Sequence, residues 1–233
     1  VLLSNFYYKN MQNIDSIIPN RSVNKNLNYE KDRRNLHNKQ CKVHYQNTNQ
    51  VIFLIGNKTC SSKHNDFVNL KILESYLAYG MSSKLFRIFR ESNGLTYDAG
   101  VFNPLRKNLS PFLIYLSSST NNCVDTFHHL LNLWDQITTS LLSKDELDLA
   151  KIKFKAAISF SSQTTEEIIN RKVQLLGLNM DPKLDEKFIE KISKIDSKEI
   201  LETAKKYLLN PSLIISGKES YCNQLKRIWQ NRF

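Results

Sequence analysis

What this sequence lacks narrows it first. Glycine is scarce, six in 233 residues, and no run of it forms the loop whose backbone amides cradle a phosphate. There is no G-x-S-x-G elbow to present a serine nucleophile. Neither H-x-x-E-H nor H-E-x-x-H occurs around His37, His44, His64, His128 or His129, so none of the zinc-peptidase motifs stands in this chain. The adjacent His128 and His129 diverge by about 100° on a helix and cannot meet one metal ion from the same face. They read as a surface pair. Cys41, Cys60, Cys123 and Cys222 stand far apart with no C-x-x-C pair, which argues against a zinc knuckle or a dithiol redox site. Free or buried thiols fit a reducing compartment, with the cytoplasm favoured. The compartment is otherwise open, because "VLLSNFYY" has neither an initiating Met nor a charged leader. It reads as a cut through a longer polypeptide or a processed end. No apolar run approaches the roughly 20 residues that span a bilayer; "VIFLI" and "SLIIS" read as buried strands.

Acidic residues are also short, 22 against 33 lysines and arginines, for a net charge of +11. Such a balance raises the question of nucleic acid. The excess is uneven: residues 21–42 hold seven basic and two acidic side chains, few apolar residues and no glycine. A stretch of that kind reads as an exposed linker, and its single aromatic, Tyr29, leaves no stacking platform for bases. Nucleic acid is therefore the weakest of the candidate partners. With 41% hydrophobic and 24% charged residues, the remainder has enough apolar material for a globular core.

Apolar spacing gives the organisation. Met11, Ile14, Ile17 and Ile18 form a helical stripe, and residues 1–20 resemble 212–233 in running from apolar strand through polar turn to amphipathic helix. Residues 1–20 then read as the end of a preceding repeat, 21–42 as the linker and 43–233 as one domain. Within it, "VHYQNTNQVIFLIGN" predicts one or two strands ending at Gly56. Phe67, Leu70, Leu73 and Leu77 predict a helix that Gly80 stops. Ser82 or Ser83 is placed to cap the next helix, with Leu85, Ile88 and Phe89 inward and an Arg87–Glu91 pair outward. Asn93 and Gly94 end it. "LTYDAGVFN" and "PFLIYLSSST" predict two strands. Val124, Phe127, Leu131, Trp134 and Leu141 predict a further helical stripe, and Ser143/Glu146, Thr164/Glu167 and Asp196/Glu199 are three capping boxes. After Pro211, "SLIIS" returns to the sheet. The pattern predicts an α+β domain, a two-layer sandwich in which helices pack on one face of a mostly antiparallel sheet. From residues alone no complete catalytic set emerges. The amides beside Gly80 and the two serines could hold an anion, but a glycine stop followed by a serine cap is the favoured reading.

The stretch from Gly80 to Tyr97 carries a resemblance. Gly80-Met81-Ser82-Ser83-Lys84-Leu85-Phe86, then Phe89-Arg90-Glu91, then Gly94-Leu95-Thr96-Tyr97 is similar to a segment repeated in the pitrilysin/insulinase family of inverzincin metallopeptidases, which includes the mitochondrial processing peptidases. "SKDELDLAKIKFK" (Glu146, Leu147, Ala150, Lys151), "DEKFIEKISKIDSKEILETAKKYL" and "LIISG" follow in that family's order, so the resemblance covers residues 43–218. In such proteins one repeat bears the zinc motif and its pair lacks it and closes over the cleft. Lacking that motif, this chain resembles the non-catalytic half.

The resemblance implies that zinc sits in a partner domain or subunit, that a peptide is the substrate, and that Arg90 and Tyr97 reach towards the scissile bond. A tyrosine hydroxyl can donate to a developing oxyanion and an arginine fork can hold a backbone carbonyl. Gly80, Ser82, Ser83 and Gly94 would support the loop and caps. Tyr79 departs from the family, which often has another glycine there. Two further readings stand beside this one. Arg90 could be a surface arginine and Tyr97 a half-buried strand residue of an inactive scaffold subunit. An unmet cleft edge also allows a homo-oligomer.

Overall fold

A computed structural model describes residues 40–91 and 94–232. Two short strands open the domain, β1 (Cys41–Tyr45) and β2 (Gln50–Lys58). Helix α1 (Asp66–Ala78) follows, then a π-helical turn at Phe86–Glu91, then β3 (Thr96–Phe102) and β4 (Pro111–Ser119). Five helices come next: α2 (Cys123–Thr139), α3 (Lys144–Phe160), α4 (Thr165–Gly177), α5 (Leu184–Ile192) and α6 (Ser197–Leu208). Strand β5 (Ser212–Gly217) and helix α7 (Glu219–Arg232) close the chain. No helix of the described residues is long and apolar enough to cross a membrane.

The strands lie in the order β1-β5-β2-β4-β3. Only β1 and β5 run parallel; every other pairing is antiparallel. The last strand is thus inserted between the first two, with Cys41 opposite Leu213 and Ile52 opposite Ser216. Alternation decides which face is covered. Val51, Phe53 and Ile55 of β2, Phe112, Ile114 and Leu116 of β4, and Leu213 and Ile215 of β5 are buried under the helices, as a period of two requires for a half-buried sheet.

The core is one continuous cluster. Phe53 stacks on Phe127 of α2 with centroids 5.5 Å apart, and Phe188 of α5 sits beside both Phe67 and Phe154. Such ring pairs add about 0.5–1.5 kcal/mol beyond area burial. The Trp134 indole N–H, buried in α2, donates to the Leu208 carbonyl at the end of α6 (3.0 Å). Ser143 and Thr164 make full capping boxes with Glu146 and Glu167. Asp196 accepts only from the Glu199 amide.

Two local expectations differ. Strand β2 runs two residues past Gly56 to Lys58. Leu141 does not join the α2 stripe: the helix ends at Thr139 and Leu141 is exposed. The Thr138 and Thr139 hydroxyls bond back to the Trp134 and Asp135 carbonyls, a competition with the backbone ladder that weakens a helix end.

On the uncovered face of the sheet Ile52, Ile214 and Phe102 are 42%, 42% and 46% exposed. Leu54, Leu113 and Tyr115 lie between them by register. Among the described residues no helix covers this apolar face. At Gly56 strand β4 leaves no room for a side chain: a Cβ there would lie 2.0 Å from the Phe112 carbonyl oxygen.

Candidate functional site

The site segment begins where α1 stops. Tyr79 leaves the helix in an extended conformation and folds its phenol back to Glu74 Oε1 (3.2 Å), so its side chain packs on α1 where a glycine would leave space. Gly80 follows at φ +74°. Of the two serines, the structure selects Ser83 as the cap: its Oγ accepts the Phe86 amide (3.3 Å), and its own N–H donates to the Gly80 carbonyl (3.0 Å). Ser82 is half-buried beside it.

The helix that follows is a π turn, not the expected α-helix. The wider turn keeps Leu85 and Phe89 in the core. It also removes the i,i+4 spacing on which the Arg87–Glu91 pair depended; among the described residues that pair does not form. Arg90 is exposed at its end, its guanidinium 5.2 Å from the centroid of the Phe86 ring. Gly94 at φ +55° reverses the chain, a conformation glycine adopts without the Cβ cost. Its N–H donates to the Arg90 carbonyl (3.2 Å), and the Leu95 N–H to the Phe89 carbonyl (2.7 Å).

Strand β3 starts irregularly. Thr96 pairs with Ser118 and Asp98 with Ser117, so Tyr97 is the extra residue of a β-bulge. Buried side chains hold the bulge. Ser118 Oγ donates to the Leu95 carbonyl (2.9 Å) and meets Thr126 Oγ1 (2.8 Å), while Thr96 Oγ1 bonds the Ser117 and Asp98 carbonyls. The backbone thus places Arg90 and Tyr97 at two adjacent irregularities joined by the Gly94 turn. The direction of the Tyr97 side chain lies outside the described part of the structure. So do the 1–20 repeat pattern and nearly all of the basic stretch 21–42.

One residue of this site was legible as a helix cap and as part of the family-like helix, but not as a site residue. Glu146, third residue of α3, also accepts from Tyr76 Oη (3.0 Å) and faces Lys84 Nζ (3.6 Å) at the entry to the π turn. Burial alone would raise its pKa. The Ser143 amide, the Tyr76 hydroxyl and the Lys84 charge outweigh burial and hold it below the usual carboxylate range. A carboxyl depressed in the fold stabilises fully above its unfolded pKa, about 4.3, and loses that contribution as pH falls through the folded value. Glu146→Gln is therefore expected to cost about 1 kcal/mol at neutral pH. It should also flatten the loss of thermal stability below about pH 4.3, read as melting temperature against pH by circular dichroism. The slope will not vanish, because Asp66 is also depressed: burial raises it, but hydrogen bonds from Lys206 and Tyr207 prevail. A wild-type slope in the variant would contradict the assignment.

None of the four thiols is activated as a nucleophile. Burial, then the charge of Asp66, pushes the Cys60 thiol up to about 11, and burial raises the other three thiols as well. Among the described residues no group of three or more His, Cys, Asp or Glu could hold a metal ion, so these residues do not fit a zinc centre.

Comparison with known proteins places this geometry. The chain is similar to a peptidase M16 inactive domain from Pseudomonas fluorescens, with a TM-score of 0.68 at 16% identity, over 77% of this chain and 43% of that one. A protease from Helicobacter pylori gives 0.69 at 19% identity, over 76% and 43%. A chain of complex III2 from Candida albicans, Inz-5 bound, gives 0.61 at 17%, over 80% and 49%. At these identities the likeness shows the fold, and the chain spans less than half the length of each of these structures. A family model described as the peptidase M16 inactive domain matches residues 11–154. With more than half of its length matched by that model, the chain belongs to the family of peptidase M16 inactive domains.

Proposed function

We propose that this chain is the non-catalytic, substrate-contacting half of a zinc-dependent metalloendopeptidase. It closes over a zinc-bearing half in the same polypeptide or in a partner subunit. Hydrolysis belongs to that other half; this one grips the peptide and supplies a proton donor near the reacting carbonyl. The observation that carries the reading is the coincidence of two backbone irregularities with Arg90 and Tyr97. The first lies in the last turn of a π helix and a β-bulge centres on the second. Such departures from regular structure concentrate at functional sites, where they re-aim side chains. The apolar sheet face around Ile52, Phe102 and Ile214 supports pairing with another domain, since soluble proteins rarely leave a large contiguous apolar patch uncovered.

In this arrangement Arg90 holds a backbone carbonyl of the bound peptide through its guanidinium fork, and the Tyr97 hydroxyl donates to the oxygen on which charge develops. Arg90→Gln is expected to raise KM for a quenched fluorescent peptide about tenfold, with a smaller fall in kcat, when both halves are assembled. A second reading, an assembly subunit with no part in hydrolysis, is favoured by the likeness to a complex III2 chain. It predicts that Arg90→Gln leaves KM unchanged, and that result would remove Arg90 from the site.

A further inference from the structure

Helix α3 carries two apolar faces. Leu147, Ala150 and Phe154 are buried against the core. About half a turn away, Leu149, Ile152, Ala156 and Phe160 follow one another at helical spacing and line the outside, with Ile152 63% and Phe160 67% exposed. A stripe of this width marks a packing face. It borders a shallow, open groove of about 510 Å³ between α3 and the Tyr79–Gly80 turn, lined by Ala78, Ala156, Ala157 and Phe160. Met81, 78% exposed, stands just beyond that turn.

The groove has a sign as well as a shape. Lys153 lines it, and Arg87 lies close enough that burial, followed by the guanidinium charge, holds the lysine ammonium below its usual range. Among the described residues neither cation has a carboxylate in ion-pair reach, whereas nearby Lys84 is met by Glu146 and Lys71 by Glu74. Two neighbouring cations left without a counter-ion beside an apolar groove call for a ligand that brings its own carboxylates.

We infer that the outer face of α3 and the groove beside Gly80 dock an acidic amphipathic helix belonging to the other half of the assembly. One or two of its apolar side chains fill the groove, and a carboxylate sits between Arg87 and Lys153. A second copy of this chain fits the charge poorly, since its net charge is +11 and it would bring further cations to the same place. The inference rests on the pairing part of the proposed function and is independent of Arg90 and Tyr97. It is therefore tested by binding and not by hydrolysis.

The probe is a fluorescein-labelled model helix with a leucine stripe flanked by glutamates, compared by fluorescence anisotropy with the same helix carrying lysines for glutamates. The full chain is expected to bind the glutamate helix saturably and the lysine helix at least about tenfold more weakly. Ala156→Arg, which fills the groove, should weaken binding about tenfold or more, with an unchanged thermal melt because the position is on the surface. Lys153→Glu should abolish the preference for the glutamate helix. No binding, equal binding of the two helices, or indifference to Ala156→Arg would overturn the inference. So would sedimentation of the chain as a dimer that Ala156→Arg converts to monomer, which would make a second copy the occupant.

Discussion

Tyr97→Phe is expected to lower kcat of the assembled two-half peptidase by about 10²–10³-fold while leaving KM nearly unchanged. Deleting one preorganised donor to a developing oxyanion costs that much, and an interaction made only in the transition state is lost from kcat and from kcat/KM equally. The substitution removes a single oxygen atom, so packing is kept. The bulge that sets the backbone of Tyr97 is held by Thr96 and Ser118. A control follows from this: the thermal melt of the variant should overlay that of the wild type. Peptide hydrolysis by the assembly, measured over a range of substrate concentrations, checks the prediction. A variant with the wild-type kcat would mean that Tyr97 is a strand residue and that the chain is a scaffold.

Gly56→Ala is expected to destabilise the domain by about 3 kcal/mol or more, which lowers its melting temperature by about 10 °C or leaves little soluble protein. The added methyl would lie 2.0 Å from the Phe112 carbonyl oxygen and within 2.9 Å of the Leu113 Cα. Neither is the far end of a flexible side chain. To make room, β2 and β4 must separate at the centre of the sheet, where Gly56 pairs with both Leu113 and Ser212. Gly177→Ala is the matched control, because a methyl there meets nothing within 4 Å and alanine is the better helix former by about 1 kcal/mol. Thermal denaturation of the two variants side by side should show one loss and one small gain. Equal melting temperatures would show that the sheet tolerates a wider β2–β4 spacing.

Much of the architecture was legible because it rests on local periodicity. The alternation in "VIFLI" and "PFLIYLS" marks strands with one covered face, and the caps at Ser143, Thr164 and Asp196 mark helix starts through their own side chains. What could not be read depends on distant pairing. Nothing in "SLIIS" states that β5 enters between β1 and β2, a register set by residues about 160 positions away. The π turn was missed because a 3.6 period and a wider one share Leu85 and Phe89 over so short a stretch. The bulge was missed because it follows from which β4 residue opposes Thr96. Arg90 and Tyr97 stood out only through family resemblance, as neither has a local partner signature. The link from Glu146 to Tyr76 and Lys84 joins three elements, and only its capping half has a sequence signal.

The most direct test of the central claim is the rate of peptide hydrolysis by the zinc-bearing half with and without this chain. The account predicts negligible turnover by either half alone and turnover that rises to saturation as this chain is added. Full activity of the zinc-bearing half alone, unchanged by any concentration of this chain, would contradict it.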